Sequence, residues 1–327
     1  MSNIKNDRMA VLIPCLNEEV TIGKVIDDFR RELPQAMICV FDNGSTDNSA
    51  AIARNHGARV YHEPREGKGF VVECMFEHVM ADIYVMVDGD DTYPAESVHA
   101  LIDPVINNKA DMAVGARLSL YGDQAFRPMH LLGNLLIQKL VNRIRQTDLT
   151  DILSGYRVFN RRVVTMLPVV STGFEIETEL TVQMLYYKRK IVEIQIPYRN
   201  RPQGSTSKLH TVKDGIRVLW KLFSLLRAIK PLTFFGSMGM AFFFLSLASG
   251  YLPIHDYLSS PDHYVRHVPL AILATGLMLI SVGSVFMGVL LHAINWRFIE
   301  LHSVLTRSCD TYSMPAPFSS VMDKKTE

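Results

Sequence analysis

The sequence predicts an α/β domain built on a mainly parallel sheet, followed by a helical hairpin that spans a membrane. Three observations carry this. Apolar runs alternate with amphipathic stretches from residue 9 to about 200, the pattern of strands separated by crossover helices. The run Ile83-Tyr84-Val85-Met86-Val87 ends in Asp88-Gly89-Asp90, two carboxylates delivered by a buried strand. Residues 231–252 and 268–291 contain no charge, and each is long enough to cross a bilayer, which needs about 20 apolar residues.

The elements follow in order. Met9 to Ile13 is a first strand and Thr21 to Leu33 a helix with an apolar stripe. Ile38 to Phe41 is a second strand, closed by the turn Asp42-Asn43-Gly44-Ser45 and a helix from Asp47. Arg59 to His62 is a third strand. Gly67-Lys68-Gly69 then turns the chain into a helix reaching about Met80, and Ile83 to Val87 is the fourth strand. Beyond these, Val212, Ile216, Leu219, Phe223 and Leu226 form one helical stripe, with Lys213, Arg217, Lys221 and Arg227 mainly off it. A basic amphipathic helix just before a span is expected to lie in the membrane interface. The expected organisation is a soluble domain over 1–210, the interfacial helix over 211–230, the hairpin over 231–296 and a cytoplasmic tail over 297–327, polar and flexible from Ser308 to Glu327.

Charge and cysteines narrow the function. Lys+Arg number 34 against Asp+Glu 33, a net charge of +1, so no global field favours nucleic acid. Cys15, Cys39, Cys74 and Cys309 form no C-x-x-C pair and read as packing residues of a reduced compartment. Met1 to Arg8 is polar, with no signal-peptide pattern. Lys and Arg cluster before the first span and recur at Arg297 and Arg307, which puts both termini in the cytoplasm and the short 253–267 loop outside. A strand ending in Asp-x-Asp at a sheet's carboxyl edge suits a hard cation such as Mg²⁺ or Mn²⁺, which commonly serves substrate phosphates.

Four local patterns occur in one order: Pro14-Cys15-Leu16-Asn17-Glu18, Asp42-Asn43-Gly44-Ser45-Thr46-Asp47, Asp88-Gly89-Asp90, and Arg199-Asn200-Arg201 leading to Ser205-Thr206-Ser207-Lys208. Together they resemble the inverting family 2 glycosyltransferases of GT-A fold, and within them the polyprenyl-phosphate, dolichyl-phosphate mannose synthase-like branch. The resemblance implies transfer of one sugar from a UDP- or GDP-sugar to an undecaprenyl- or dolichyl-type phosphate at the inner membrane. It also implies a homotetramer.

Residue roles follow from the same resemblance. Pro14, Glu18 and Asp42 match the nucleotide-base pocket, with Leu16 where an aromatic often stands. Lys68 matches the loop beside the donor diphosphate. Asp88 and Asp90 match the metal pair, with Thr92 where a Gln ligand is usual. Arg117 and Arg127 match residues facing the phosphates and the acceptor loop. Arg157, in Ser154-Gly155-Tyr156-Arg157, together with Arg199, Arg201 and Lys208 matches the cations for the acceptor phosphate. Glu175 and Glu177, in Gly173-Phe174-Glu175-Ile176-Glu177, begin a helix, and an active-site role for either is an open alternative.

Other functions answer to some of the same residues. Asp88-Gly89-Asp90-Asp91-Thr92 also fits the nucleophile motif of haloacid dehalogenase-like phosphatases, but three strands precede it and no late Asp-Asp pair follows. A processive polysaccharide synthase would carry Gln-x-x-Arg-Trp and more spans. A glycosyltransferase with another membrane or glycan acceptor, or a non-catalytic sugar-nucleotide-binding scaffold, are the remaining alternatives.

Overall fold

A computed structural model describes residues 8–117, 149–173, 175–202, 220, 223–224, 227, 230–262 and 264–312, with backbone alone from 302 onward. Arg127, Lys208 and most of the 211–230 segment lie outside the described residues. The chain divides into two compact units, 1–223 and 224–327.

Among the described residues the first unit holds a seven-stranded sheet in the order β3-β2-β1-β4-β6-β5-β7. The strands are β1 (Met9–Cys15), β2 (Met37–Asp42), β3 (Arg59–His62), β4 (Ile83–Met86), β5 (Met112–Arg117), β6 (Arg157–Asn160) and β7 (Ile191–Ile196). β1 pairs in parallel with both β2 and β4, β2 with β3, and β5 with β7. Only β6 runs against its neighbours β4 and β5. The helices are α1 (Ile22–Glu32), α2 (Ser49–Asn55), α3 (Lys68–His78), α4 (Val98–Ile106), α5 (Arg161–Met166) and α6 (Ile176–Tyr186).

Strand periodicity explains the layers. Side chains alternate across a sheet, so a strand buried on both faces feeds two cores. Val11 and Ile13 of β1 pack with Ile22, Val25, Ile26 and Phe29 of α1 and Leu101 of α4. Ala10 and Leu12 pack on the opposite face, with Val72 and Met75 of α3 and Ile176, Leu180 and Met184 of α6. The result is a three-layer α/β/α domain, as the alternating pattern predicts. The first two helices start slightly later than expected, whereas α3 already begins at Lys68 within the glycine turn. Asp47 stands outside α2, where its Oδ1 accepts hydrogen bonds from the Ser49 amide (2.9 Å) and hydroxyl (2.5 Å).

Topology locates the site. The chain builds β1, β2 and β3 outward in one direction, then returns to place β4 on the other side of β1. The parallel strands β1, β2 and β4 end at the same edge, so the loops after Cys15, Asp42 and Met86 meet at a topological switch point.

The second unit is two long helices, Pro231–Ser259 and Val268–Tyr312, both long and apolar enough to cross a membrane. Small residues bring them together. Ser246 Oγ donates to the Ala274 carbonyl at 2.7 Å and Ser281 Oγ to the Gly239 carbonyl at 2.8 Å, the kind of polar contact that holds helices together in lipid. Two boundaries differ from the sequence reading. The first helix continues through a buried Pro253 to Ser259, and the second runs on to Tyr312, so the polar segment from 308 to 312 is helical rather than flexible. Between them, Asp256 Oδ2 accepts from the backbone amides of Arg266 (3.0 Å) and His267 (3.2 Å), which closes the turn ahead of the second helix.

Candidate active site

The acidic loop is held from below and from the side. Val87 still donates to the Leu12 carbonyl (3.1 Å), so the chain leaves the sheet only at Asp88. Thr21, at the start of α1, donates to the Gly89 carbonyl at 2.7 Å. Asp91 has a left-handed backbone (φ 56°) and turns away to pair with Lys24 at 2.7 Å. Asp88 and Asp90 are therefore the two carboxylates of the loop left facing the site.

Asp90 is buried and fully engaged. Its Oδ1 accepts from the Thr92 hydroxyl (2.6 Å) and amide (3.2 Å), and its Oδ2 meets Arg201 Nη2 at 2.5 Å. Thr92 thus orients Asp90 from within the loop. Burial and the negative charge of Asp88 hold the Asp90 carboxyl above the usual carboxylate range, and Thr92 and Arg201 offset this in part. Two like charges in one partly buried site call for cations.

Lys68 supplies one. Its Nζ lies 2.6 Å from Asp88 Oδ1 and 2.6 Å from Glu177 Oε1. Burial favours the neutral amine, but the two carboxylates outweigh it and keep Lys68 above the ordinary lysine value. The surrounding turn requires glycine. Gly67 has φ 133°, and a Cβ there would sit 2.0 Å from the Thr172 carbonyl oxygen. The Gly69 amide donates to that same carbonyl at 3.1 Å, which clamps the turn to the chain entering α6.

The loops after β1 and β2 form the adjoining wall. Pro14 pairs with Phe41 at the end of β1, and the Glu18 amide donates to Ser49 Oγ at 2.8 Å. Asp42 is buried, with Oδ1 accepting from the Ser45 amide (3.2 Å) and Oδ2 facing His62 Nδ1 (3.3 Å). Asn43, which the sequence shows only as a turn residue, has a larger part. Its Nδ2 donates to the carbonyls of Glu63 (3.0 Å) and Arg65 (2.8 Å), and its Oδ1 accepts from the Gly67 amide (2.9 Å). One side chain therefore ties the end of β2 to the lysine turn. The Asn-Gly dipeptide was the available signal, and it specifies a turn without saying what the amide holds.

The arginines separate into three environments. Arg201 reaches the acidic pair, and lies 3.9 Å from Glu18 as well. Its segment is fixed there because the Arg199 amide donates to the Thr92 carbonyl at 2.9 Å, while the Arg199 side chain points to Glu96 at 3.4 Å. Arg117 is bound bidentately by the buried Asp151, through Nε at 2.7 Å and Nη2 at 2.8 Å, and lies against the Tyr198 ring. Arg157 corrects the sequence reading. It is 0% exposed, and its guanidinium donates to the Ser154 carbonyl (2.9 Å), the Ile152 carbonyl (2.7 Å) and Thr181 Oγ1 (2.9 Å). With its donors turned inward it supports the strand motif and presents no face to an acceptor phosphate. Burial lowers it to about 10.

Gly155 explains why that motif matters. A Cβ on Gly155 would lie 2.4 Å from Asp88 Oδ2, so the backbone of the 154–156 turn forms the wall behind the carboxylate. Gly155→Ala is expected to displace Asp88 and lower turnover by about 100-fold, a loss of the size a misplacement near 1 Å produces. Turnover measured beside a melting curve checks this. A variant that melts like the natural chain but keeps full activity would show that Asp88 tolerates the shift.

Comparison with known proteins agrees with this geometry. The family model for glycosyl transferase family 2 matches residues 10–166, which include the acidic loop, the lysine turn and the 154–157 motif. Glycosyltransferase AglJ of Haloferax volcanii is 32% identical over 87% of this chain and 92% of its own length. The chain belongs to the family 2 glycosyltransferases.

Within the family, the dolichyl-phosphate hexose transferase of Haloferax volcanii is 30% identical over 67% of this chain and 93% of its own length. A crystal structure of glucosyl-3-phosphoglycerate synthase from Mycobacterium tuberculosis with Mn²⁺, UDP and glucosyl-3-phosphoglycerate superposes with a TM-score of 0.55. It is 24% identical, covering 67% of this chain and 80% of that one, and shows the common GT-A fold. For this glycosyltransferase the donor set fits a hard divalent ion. Asp88 and Asp90 offer only oxygen, the donor a hard ion takes, and among the described residues no group of three His, Cys, Asp or Glu forms a site complete without substrate. Mg²⁺ is typically held by one or two carboxylates, with phosphate and water completing its shell.

Proposed function

We propose that this glycosyltransferase moves one sugar, with inversion, from a UDP- or GDP-sugar to a polyprenyl phosphate at the cytoplasmic face of the inner membrane. The observation that carries the reading is the return of the 199–201 segment to the acidic loop. It brings Arg201 onto Asp90, and some thirty residues later the chain enters the first long apolar helix. A cation suited to an acceptor phosphate thus shares one site with the carboxylates suited to the donor's metal.

The roles divide as follows. Asp88 and Asp90 hold Mg²⁺ or Mn²⁺, which when bound stabilises the negative charge developing on the departing nucleoside diphosphate. Lys68 meets the diphosphate from the other side of Asp88. Pro14, Glu18 and Asp42 line the base pocket, while Arg201, with Arg127 and Lys208, receives the acceptor. Arg117, held by Asp151, supports the wall beside them.

The acceptor decides whether a base is needed. A sugar hydroxyl must lose a proton during attack, whereas a lipid phosphate has a second pKa near about 6 and is already largely an anion at neutral pH. Two buried carboxylates near the site, Glu177 and Asp151, are each paired with a cation, which favours an acceptor that needs no base.

The test is transfer itself. Purified protein in detergent is given undecaprenyl phosphate, Mg²⁺ or Mn²⁺, and a panel of radiolabelled UDP- and GDP-sugars. Label is expected to enter the lipid fraction from one donor and to be lost with EDTA. Binding of nucleotide without a lipid product from any donor would point to another acceptor.

A further inference from the structure

Glu177 belongs to no role that the donor, metal or acceptor requires, yet it is one of the most buried carboxylates of the domain, at 4% exposure. We infer that Glu177 is a positioning residue for donor binding: it retains Lys68 beside the diphosphate site once a divalent ion has taken Asp88. The inference rests on the nucleotide-sugar reading above and assigns a cause to one part of it.

The argument begins with charge. Lys68 Nζ is shared at 2.6 Å between Asp88 and Glu177. A divalent ion held by Asp88 would repel the ammonium on the same carboxylate and weaken the hold of Asp88 on Lys68. Without a second anion Lys68 would be driven from the site just as its charge is needed against the diphosphate. Glu177 is that second anion. Buried and 2.6 Å from Lys68 Nζ, it would keep its partner when a metal draws on the charge of Asp88.

The backbone supports the same assignment. Glu177 sits in the first turn of α6, and the Thr172 carbonyl just before that helix accepts from the Gly69 amide. A Cβ on Gly69 would lie 1.8 Å from the Ser171 carbonyl oxygen, so the lysine turn and the chain entering α6 are in direct contact. Lys68 is thereby fixed to one element by its backbone and by its side chain. Burial and the ion pair with Lys68 also disfavour proton abstraction from an acceptor by Glu177.

The sign of the effect separates this from simple electrostatics. Removing a negative charge near an anion site should tighten nucleotide binding. Losing the anchor of Lys68 should weaken it. UDP is titrated calorimetrically into the full-length protein in detergent with Mn²⁺, and GDP in parallel. Glu177→Gln is expected to weaken binding about tenfold, and Glu177→Asp to recover most of the loss. In a Lys68→Met background Glu177→Gln should cause no further loss, because its weakening action runs through the lysine. Circular dichroism and melting check the fold; if Glu177→Gln does not fold, Glu177→Ala measured in the natural and the Lys68→Met chains carries the same comparison. Unchanged or tighter UDP binding by folded Glu177→Gln overturns the inference, as does a full additional loss in the Lys68→Met background. If the natural chain binds neither UDP nor GDP, the donor reading itself falls, and the inference with it.

Discussion

Asp90→Asn is expected to reduce transfer by about 100- to 1,000-fold while leaving the domain folded, the loss seen when a preorganised stabiliser of transition-state charge is removed. The fold should survive because an amide oxygen can still accept from Thr92, whose hydroxyl and amide both reach Asp90 Oδ1. Burial and Asp88 already disfavour charge on Asp90, so the domain gives up little in losing it. The metal distinguishes this from a general defect. Chelation with EDTA should bring the natural chain to the level of the variant and leave the variant unchanged. Activity within threefold of the natural chain, with the same response to EDTA, would remove Asp90 from the metal site and with it the central assignment of roles.

Arg157→Ala should act on stability. The side chain fills a fully buried space and satisfies the carbonyls of Ser154 and Ile152 and the hydroxyl of Thr181. Truncation leaves those acceptors unpaired beside a cavity, at a cost of about 3–5 kcal/mol in all. For a unit of this size that lowers the melting temperature by roughly 10 °C. An arginine contacting the acceptor phosphate would behave in the opposite way, raising the KM for polyprenyl phosphate without moving the melting curve. Unfolding followed by circular dichroism, beside a KM for the lipid, separates the two.

These two residues show how the site could and could not be read from the chain. Asp88 and Asp90 are legible because their place depends on short-range order. An apolar run long enough to be a buried strand ends, and the next residues must emerge at the sheet edge. The same holds for the Gly-Lys-Gly turn and for the two uncharged helices. Arg157 was misplaced because sequence shows a charge next to a strand motif but not which way the strand faces. β6 runs antiparallel between β4 and β5, and its alternation turns Arg157 into the layer beneath α6. Asn43 and Glu177 were under-read for a related reason. Each acts on residues distant in the chain, Asn43 on the 63–67 loop and Glu177 on Lys68.

By itself the sequence determined the α/β class, the positions of the first four strands along the chain, the acidic pair, the lysine turn, the pair of long apolar helices and the family. All of these follow from periodicity, local turn chemistry or motifs a few residues long. Tertiary structure alone decided which charges meet. It put Arg201 on Asp90, Asp151 on Arg117 and Glu177 on Lys68, and enclosed Arg157. The reason is physical: a local pattern sets the conformation of neighbours in the chain, whereas the partner of a buried charge is chosen by packing between elements many residues apart.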